Sequence, residues 1–128
     1  MRLLLDTHIL LAIARQDLHI RYPRIAQVLN DQFVLQFGSV ASIWEVAIKV
    51  RIGKLDLGME VGEFADYLLS ADIDLVPIET RHALASVSPE PETRDPFDRM
   101  LLAQCKAEGF QLVTIDRALA DHPFTLQY

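Results

Sequence analysis

The sequence predicts an α/β fold in which a mostly parallel sheet is covered by helices on both faces. Short apolar runs that are typical of buried strands alternate along the chain with segments of helical periodicity. The 128 residues are 51% hydrophobic and 23% charged, which is an ordinary globular composition. We therefore expect residues 1–128 to form a single domain around one core.

The first predicted elements are a strand and a helix that meet at an acidic residue. The apolar run Arg2–Leu5 predicts a buried strand, and Asp6 follows it directly. Thr7 is a suitable N-cap for a helix over residues 8–15, where apolar residues recur at helical spacing. A second helix is predicted over residues 22–30, because it has helical spacing and a proline in its first turn.

A second strand and a third helix are predicted next. The β-rich segment 33–37 is bounded by a Gly-Ser pair, which predicts a strand and its end. Ser42 and Glu45 form the S-x-x-E pattern of a capping box, so we expect a helix to begin at Ser42. It should run to about Arg51, with Gly53 as its stop signal.

The middle of the chain continues this alternation. Apolar spacing predicts an amphipathic helix over residues 61–71, and it is followed by a strand over 75–78 and a short helix over 80–87. The segment Ser88–Arg94 contains two prolines and several polar residues. We expect it to be an exposed loop.

The last part of the chain begins with a strong helix-start signal. Asp95 is a suitable N-cap and Pro96 a suitable first residue for a long helix that ends near Gly109. This capping role is a sufficient structural explanation for Asp95. The elements predicted after that helix are a strand over 110–114, a helical turn over 117–120 and a strand over 124–126.

Four acidic residues from distant parts of the chain are predicted to lie near one edge of this sheet. Asp6 follows the first strand, and Asp116 follows strand 110–114 after one intervening residue. Glu45 and Asp98 lie in the first turn of predicted helices. Functional crevices in such sheets lie beyond the carboxyl ends of the strands. The four carboxylates can therefore converge there.

Converging carboxylates point to divalent-metal chemistry. Mg²⁺ and Mn²⁺ prefer oxygen ligands, and a bound ion lowers the pKa of a water molecule and stabilises charge on a phosphoryl group. Hydrolysis of a phosphodiester bond is the natural reaction, and it requires no serine or cysteine nucleophile. Lys49 and Arg99, each near one of the acids, are candidates for contact with phosphate.

Each of these acids also has a purely structural explanation. Asp98 would be favoured by the dipole of its helix, and Asp116 could cap the turn that follows it. Glu45 could serve the capping box or pair with Lys49 one turn later. Asp6 is harder to explain in this way, because a carboxylate at the end of a buried apolar run is costly unless something pairs with it.

Charge and hydropathy restrict the classes of protein and compartment. The formal net charge of −6 disfavours binding to nucleic acid by broad phosphate neutralisation, although it does not exclude a nuclease that binds cations. The apolar runs are far shorter than the roughly 20 residues of a membrane span. Asp6 interrupts the N-terminal apolar run where a signal peptide would continue. We therefore expect a cytoplasmic protein without a membrane anchor.

Four sequence blocks extend this argument from one end of the chain to the other. They are LLLDTHILL (3–11), SIWEVAIK with GKL (42–55), RDPFDRMLLAQ (94–104) and LVTID (112–116). In this order they resemble the PIN-domain family and, more narrowly, the VapC-type toxins of bacterial type II toxin–antitoxin systems. Since all four blocks are present, the resemblance is specific.

The resemblance implies a three-layer α/β/α domain and a Mg²⁺- or Mn²⁺-dependent endoribonuclease. By position it assigns a supporting hydroxyl to Thr114 and the metal-binding, catalytic role to four acids, Asp6, Glu45, Asp98 and Asp116. Asp95 is an alternative or additional ligand beside Asp98, and Arg99 a supporting residue. The resemblance also implies an RNA substrate, a homodimer and a cognate antitoxin that covers the site. An acidic toxin would suit a basic segment of that partner.

Three alternatives remain open at this stage. A haloacid-dehalogenase-like Mg²⁺ phosphatase also begins with a strand that ends in aspartate, but it requires a second aspartate where this chain has His8. A phosphoacceptor receiver domain requires an acidic pair at the first strand, which Asp6 and Thr7 do not supply. The third alternative is a PIN-like binding module without catalysis, and the presence of all four acids argues against it.

Overall fold

The computed structural model describes all residues from Met1 to Tyr128. It contains four strands and seven helices. The strands are β1 (Arg2–Leu5), β2 (Leu35–Ser39), β3 (Ile73–Val76) and β4 (Gln111–Val113). The helices are α1 (Thr7–Ala14), α2 (Leu18–Arg21), α3 (Pro23–Leu29), α4 (Val40–Arg51), α5 (Val61–Ser70), α6 (Thr80–Leu84) and α7 (Pro96–Glu108). No helix is both long enough and apolar enough to span a membrane.

The four strands form one sheet in the order β3-β2-β1-β4, and every neighbouring pair is parallel. β1 is central, since Leu4 is paired with Phe37 on one side and with Leu112 on the other. The ladder extends by one residue where the amide of Asp6 donates to the carbonyl of Val113 at 3.0 Å. Because all strands are parallel, their carboxyl ends share one edge. The predicted α/β fold with a parallel sheet is confirmed.

Alternate residues of β1 are buried on opposite faces of the sheet, which gives the protein three layers. Leu3 and Leu5 belong to the larger apolar cluster, which includes residues of α1, α3, α4 and α5. Leu4 belongs to the second cluster, which includes residues of α7. All three leucines have no solvent exposure. Burying each such side chain contributes about 1.5–3 kcal/mol, so β1 is the main anchor of the core.

The ends of β2 and β3 differ by two residues from the prediction. The segment 33–37 was expected to be a strand, but β2 begins at Leu35, which pairs with Arg2, and Phe33 is left 75% exposed. The strand continues through Gly38, which pairs with Leu75 of β3. Glycine suits this position, because a Cβ there would lie only 3.1 Å from the side chain of Leu10. Pairing and packing between elements therefore set the strand ends, where local propensity indicated a turn.

The strand predicted over residues 75–78 is likewise shifted, because β3 pairs with β2 from Ile73 to Val76. Pro77 follows directly and has no amide hydrogen with which to extend the ladder. The predicted strand 124–126 is reduced to a single bridge between Leu112 and Thr125. Three further predictions need correction in length or type. Helix α6 stops at Leu84, helix α5 stops at Ser70, and residues 117–120 form turns. The short helix α2 was not predicted.

Two predicted N-caps are wrong, and both true caps lie earlier in the chain. Asp6, not Thr7, caps α1 by accepting from the amide of Ile9 at 3.0 Å. Ser39, not Ser42, caps α4 by accepting from the amide of Ala41 at 3.0 Å. In both cases the helix begins directly where the strand ends. The capping box proposed for Glu45 is therefore not formed.

The start and end of α7 agree with the prediction. Asp95 caps the helix by accepting from the amide of Phe97 at 2.8 Å, and Pro96 is its first residue. Gly109 ends it with φ of +73°, in the left-handed region that favours glycine. Ser88–Arg94 has no helix or strand, as expected for a loop.

We predict that Gly109→Ala lowers the free energy of unfolding by about 1 kcal/mol, because a Cβ disfavours the left-handed conformation. Gly62→Ala is the matched control, since Gly62 lies inside α5, does not have positive φ and has no neighbouring atom within 4 Å of the position that a Cβ would take. It should raise stability by about 0.5–1 kcal/mol. Urea unfolding followed by circular dichroism measures both. Equal effects of the two substitutions would contradict the role assigned to Gly109.

Candidate active site

A polar pocket lies at the carboxyl edge of the sheet. Its cavity of about 70 Å³ has no hydrophobic residue in its lining. A cavity needs about 10–15 Å³ of such volume to hold one water molecule, so this one has room for several water-sized groups. The lining residues come from α1, α4, α7 and the segments beside them, and are Asp6, Thr7, His8, Glu45, Lys49, Asp95, Asp98 and Asp116. The four acids singled out in the sequence thus line the same pocket.

Asp6 is the most deeply held of these acids. Only 4% of it is exposed, directly after the buried strand β1. One carboxylate oxygen accepts from the amide of Ile9, and the other accepts from the hydroxyl of Thr114 and from the amide of Ile115 at 3.3 Å. Burial raises the pKa of Asp6 above its ordinary value, and these hydrogen bonds partly oppose that shift.

Glu45 faces the pocket from the second turn of α4 and is 6% exposed. Its Oε1 accepts from the hydroxyl of Thr7 at 2.7 Å, and its Oε2 pairs with the ammonium of Lys49 at 2.6 Å. The oxygen of Thr7 also lies 2.9 Å from that of Ser42. Of the structural explanations considered for Glu45, the ion pair with Lys49 is the one that the structure contains.

Asp98 and Asp95 approach the pocket from the first turn of α7. Oδ2 of Asp98 accepts from the hydroxyl of Thr93 at 3.2 Å. Burial, together with the nearby carboxylates of Asp95, Asp116 and Glu45, raises the pKa of Asp98 to about 7. Three neighbouring negative charges therefore oppose ionisation of this group in the absence of a cation.

Asp116 follows β4, and two hydrogen bonds hold it in place. Its amide donates to the hydroxyl of Thr114 at 3.0 Å, and its Oδ1 accepts from the amide of Ala118 at 2.9 Å. The second bond is the turn-capping role that the sequence suggested. The hydroxyl of Thr114 also donates to Asp6, so one threonine links two acids of the pocket.

Arg99, a candidate for phosphate contact and a supporting role, does not line this pocket. Its guanidinium donates to the carbonyl of Thr93 at 3.1 Å and pairs with Glu90. It lines a neighbouring cavity beside the Ser88–Arg94 loop.

Thr7 and Thr93 were not singled out in the sequence as parts of the site. A local signal for Thr93 existed, because Thr93 and Asp95 repeat the T-x-D spacing of Thr114 and Asp116.

The pocket residues fit a divalent cation. The donor set consists of oxygen atoms, which is the set that Mg²⁺ and Mn²⁺ prefer. The one lysine in the lining is already paired with Glu45, and the lining contains no arginine, so no lysine or arginine neutralises the remaining carboxylates. Hydrogen bonds engage one oxygen of Asp98 and one of Asp116, and the second oxygen of each is left for a ligand. A bound cation would remove the repulsion that raises the pKa of Asp98.

A second cluster, Glu79, His82 and Glu108, has three ligand atoms within 4.8 Å of one another. Glu108 is at the far end of α7 from Asp98, about 15 Å along the helix axis. Nδ1 of His82 accepts from the amide of Glu79 at 3.0 Å, so the proton of the neutral ring is on Nε2, which donates to Glu108 at 2.9 Å. Neither ring nitrogen then has a free lone pair for a metal. This cluster is a structural network, completed by Arg81 on Glu108.

We predict that Glu108→Gln destabilises the protein at neutral pH by up to about 1 kcal/mol, because the ion pair with Arg81 is partly exposed. The hydrogen bond from His82 and the charge of Arg81 lower the pKa of Glu108 below its ordinary value of 4.5. Its contribution is therefore present above pH 4.5 and is lost as the pH falls through the lowered pKa. Urea unfolding at several pH values measures this. The difference in free energy of unfolding between variant and parent should shrink as the pH is lowered from 7 to 3.5. A difference that grew towards low pH would exclude this ion pair.

Comparisons with known proteins agree with this architecture. The family model described as PIN domain matches residues 3–124. A toxin–antitoxin complex from Klebsiella pneumoniae contains a chain with 18% identity and a TM-score of 0.61, and the match covers 97% of this chain and 95% of that chain. The structure of VapBC2 from Rickettsia felis bound to a promoter DNA fragment contains a chain with 13% identity and a TM-score of 0.62. That match covers 98% of this chain and 96% of the other. At these identities the two structures show a shared fold. No curated protein sequence matches the chain significantly.

The sequence-family match is independent of these structural similarities and covers nearly the whole chain. It includes the central strand from Leu3 onwards, all four predicted acids and Thr114. It also excludes the phosphatase and receiver alternatives, which are different families. The chain belongs to the PIN domain family, whose members are nucleases that generally depend on metal ions.

Proposed function

We propose that this protein is a Mg²⁺- or Mn²⁺-dependent endoribonuclease, that residues 1–128 act as one domain, and that it works as the toxin of a toxin–antitoxin pair. The observation that carries the nuclease proposal is the pocket itself. It gathers the acids of distant segments around a small cavity with no apolar lining, in a chain of the PIN domain family. The proposed metal ligands are Asp6, Glu45, Asp98 and Asp116.

The side chains of the pocket have distinct parts in this proposal. When bound, a divalent ion lowers the pKa of a water molecule and stabilises charge on the phosphoryl oxygens. Asp6 is held by three hydrogen bonds and would be the rigid ligand. Asp98 and Asp116 each keep one oxygen without a hydrogen bond and would complete the set. Lys49 is 42% exposed in its side chain, so it can contact a phosphate oxygen while paired with Glu45.

The negative charge of the protein requires cations beside the pocket if it is to hold a polyanion. Arg94 directly precedes Asp95, and Arg117 directly follows Asp116. Both arginines are exposed and neither forms an ion pair, in contrast to Arg99. They are therefore free to contact the phosphates on either side of the cleaved bond, which would offset the repulsion from the acids. A small pocket of this kind favours single-stranded or looped RNA over a duplex.

The toxin assignment rests on the four sequence blocks and on the kind of complex in which the similar folds occur. The similar structure from Klebsiella pneumoniae is a toxin–antitoxin complex, and the one from Rickettsia felis is VapBC2. We propose that this chain also forms a homodimer and binds a cognate antitoxin. The net charge of −6 suits an antitoxin with a basic segment over the acidic pocket. As an enzyme that acts on cellular RNA, the protein would work in the cytoplasm.

We predict that Asp6→Asn and Asp98→Asn each abolish RNA cleavage in the presence of Mg²⁺ or Mn²⁺. Loss of a residue that merely orients a metal ligand costs about 10- to 100-fold, so loss of a ligand should cost more than about 100-fold. Cleavage of a labelled RNA by the purified proteins measures this. Asp66→Asn is the matched control, because Asp66 is exposed on α5, away from the pocket. This variant should cleave RNA as fast as the parent.

Stability distinguishes loss of chemistry from loss of fold in this experiment. Asp98→Asn removes a charge that burial and three carboxylates oppose, so the metal-free variant should unfold at the same temperature as the parent or higher. If folded Asp6→Asn and Asp98→Asn both cut RNA as fast as the parent, the proposed mechanism is wrong. A parent protein that cuts no RNA under any divalent ion would instead support a binding module without catalysis.

We predict that expression of the protein in bacteria arrests growth, and that a small protein encoded beside it relieves the arrest and co-purifies with it. Growth curves and affinity purification measure the two effects. Asp6→Asn is the control, since it should be harmless. If the active parent is harmless as well, the toxin assignment is wrong while the nuclease assignment stands.

A further inference from the structure

Two segments of the chain have the sequence Thr-x-Asp and the same set of hydrogen bonds. In the first, the hydroxyl oxygen of Thr114 accepts from the amide of Asp116 at 3.0 Å. Oδ1 of Asp116 in turn accepts from the amide of Ala118 at 2.9 Å. The hydroxyl hydrogen of Thr114 is then free to be donated, and it goes to Oδ2 of Asp6.

The second segment lies in the loop before α7 and repeats each of these bonds. The hydroxyl oxygen of Thr93 accepts from the amide of Asp95 at 3.1 Å, and Oδ1 of Asp95 accepts from the amide of Phe97 at 2.8 Å. The hydroxyl hydrogen of Thr93 is donated to Oδ2 of Asp98 at 3.2 Å. In both segments a threonine is thus fixed by the backbone and donates to an acid of the pocket.

We propose that Thr93 is a positioning residue of the acidic pocket, which orients the carboxylate of Asp98 for a divalent cation as Thr114 orients that of Asp6. This inference rests on the proposed function. A hydroxyl is suited to the task because it takes up one oxygen of the carboxylate and adds no positive charge that would compete with the cation.

The loop does not need the hydroxyl of Thr93 to keep its place. Arg99 donates to the backbone carbonyl of Thr93 at 3.1 Å and pairs with Glu90 in the same loop. At the other end of the loop, Nε2 of His122 lies 3.0 Å from the carbonyl of Pro89. These contacts use the backbone of Thr93 and other residues. The amide of Asp95 would lose the hydroxyl as its acceptor, but it is exposed and can bond to water instead, so loss of the hydroxyl should leave the fold intact. The carboxylate of Asp98 would lose its partner and sample more rotamers, which lowers affinity for a ligand.

The test is the affinity of the whole, metal-free protein for Mn²⁺, measured by the electron paramagnetic resonance signal of the free ion. We expect Thr93→Val to weaken binding by about 10- to 100-fold, the range for residues that orient a metal ligand. Thr93→Ser retains the hydroxyl and should restore binding to near the parent affinity. Thr80→Val is the matched control, since Thr80 is exposed and its hydroxyl has no hydrogen bond in the protein, and it should bind like the parent.

Asp98→Asn in the same titration separates failure of this inference from failure of the proposed function. If Asp98→Asn loses Mn²⁺ affinity while Thr93→Val binds like the parent, the role of Thr93 is overturned and the metal site stands. If Asp98→Asn and the parent bind equally, the proposed site fails and the inference fails with it. The unfolding temperature tests whether the role of Thr93 is purely structural. Thr93→Val should unfold at the parent temperature without metal, and weakened binding explained by a matching loss of stability would overturn the proposal.

Discussion

The buried carboxylate of Asp6 is the interaction on which the rest of the structure depends. It lies at the end of β1, the central strand, where three leucines are wholly buried. Such a group is tolerated only if its lone pairs are satisfied, and the partners come from two different places. The amide of Ile9 is in the first turn of α1, and the hydroxyl of Thr114 follows β4. The hydrogen bonds to the carboxylate of Asp6 therefore hold the start of α1 and the end of β4 close together.

The pocket around Asp6 holds several carboxylates close together, which is electrostatically unfavourable, in positions that the sheet fixes in advance. Several carboxylates share a small polar cavity, and burial together with the repulsion among them raises the pKa of Asp98 to about 7. Proteins keep such unfavourable arrangements where they serve function, at some expense of stability. Here the parallel sheet provides the rigid support, since the residues beyond its strands cannot move apart without breaking the core. A divalent cation would convert the repulsion into binding free energy.

The hydrogen bonds of the pocket come mainly from neutral donors. Thr114, Thr7 and Thr93 each give a hydroxyl hydrogen to one acid, and backbone amides supply most of the rest. Neutral donors restrict the orientation of a carboxylate without cancelling its charge. An arginine in the same position would compete with a metal ion. The exception is Lys49, whose pair with Glu45 is partly exposed and so remains within reach of a phosphate.

The sequence by itself determined the class of the fold, the long helix with its Asp95 cap and Gly109 end, and the four acids that line the pocket, because these depend on local periodicity, on backbone chemistry and on short motifs. Only the tertiary structure decided the ends of β2 and β3, since the ends of β2 follow from pairing with β1 and those of β3 from pairing with β2. It also moved the helix caps to Asp6 and Ser39, directed Arg99 towards Glu90 and brought Thr93 to Asp98. These outcomes depend on how the segments of the chain pack against one another. The repeated T-x-D spacing was a local signal for Thr93, but a pattern of neighbours along the chain does not say which side chains will meet across a pocket.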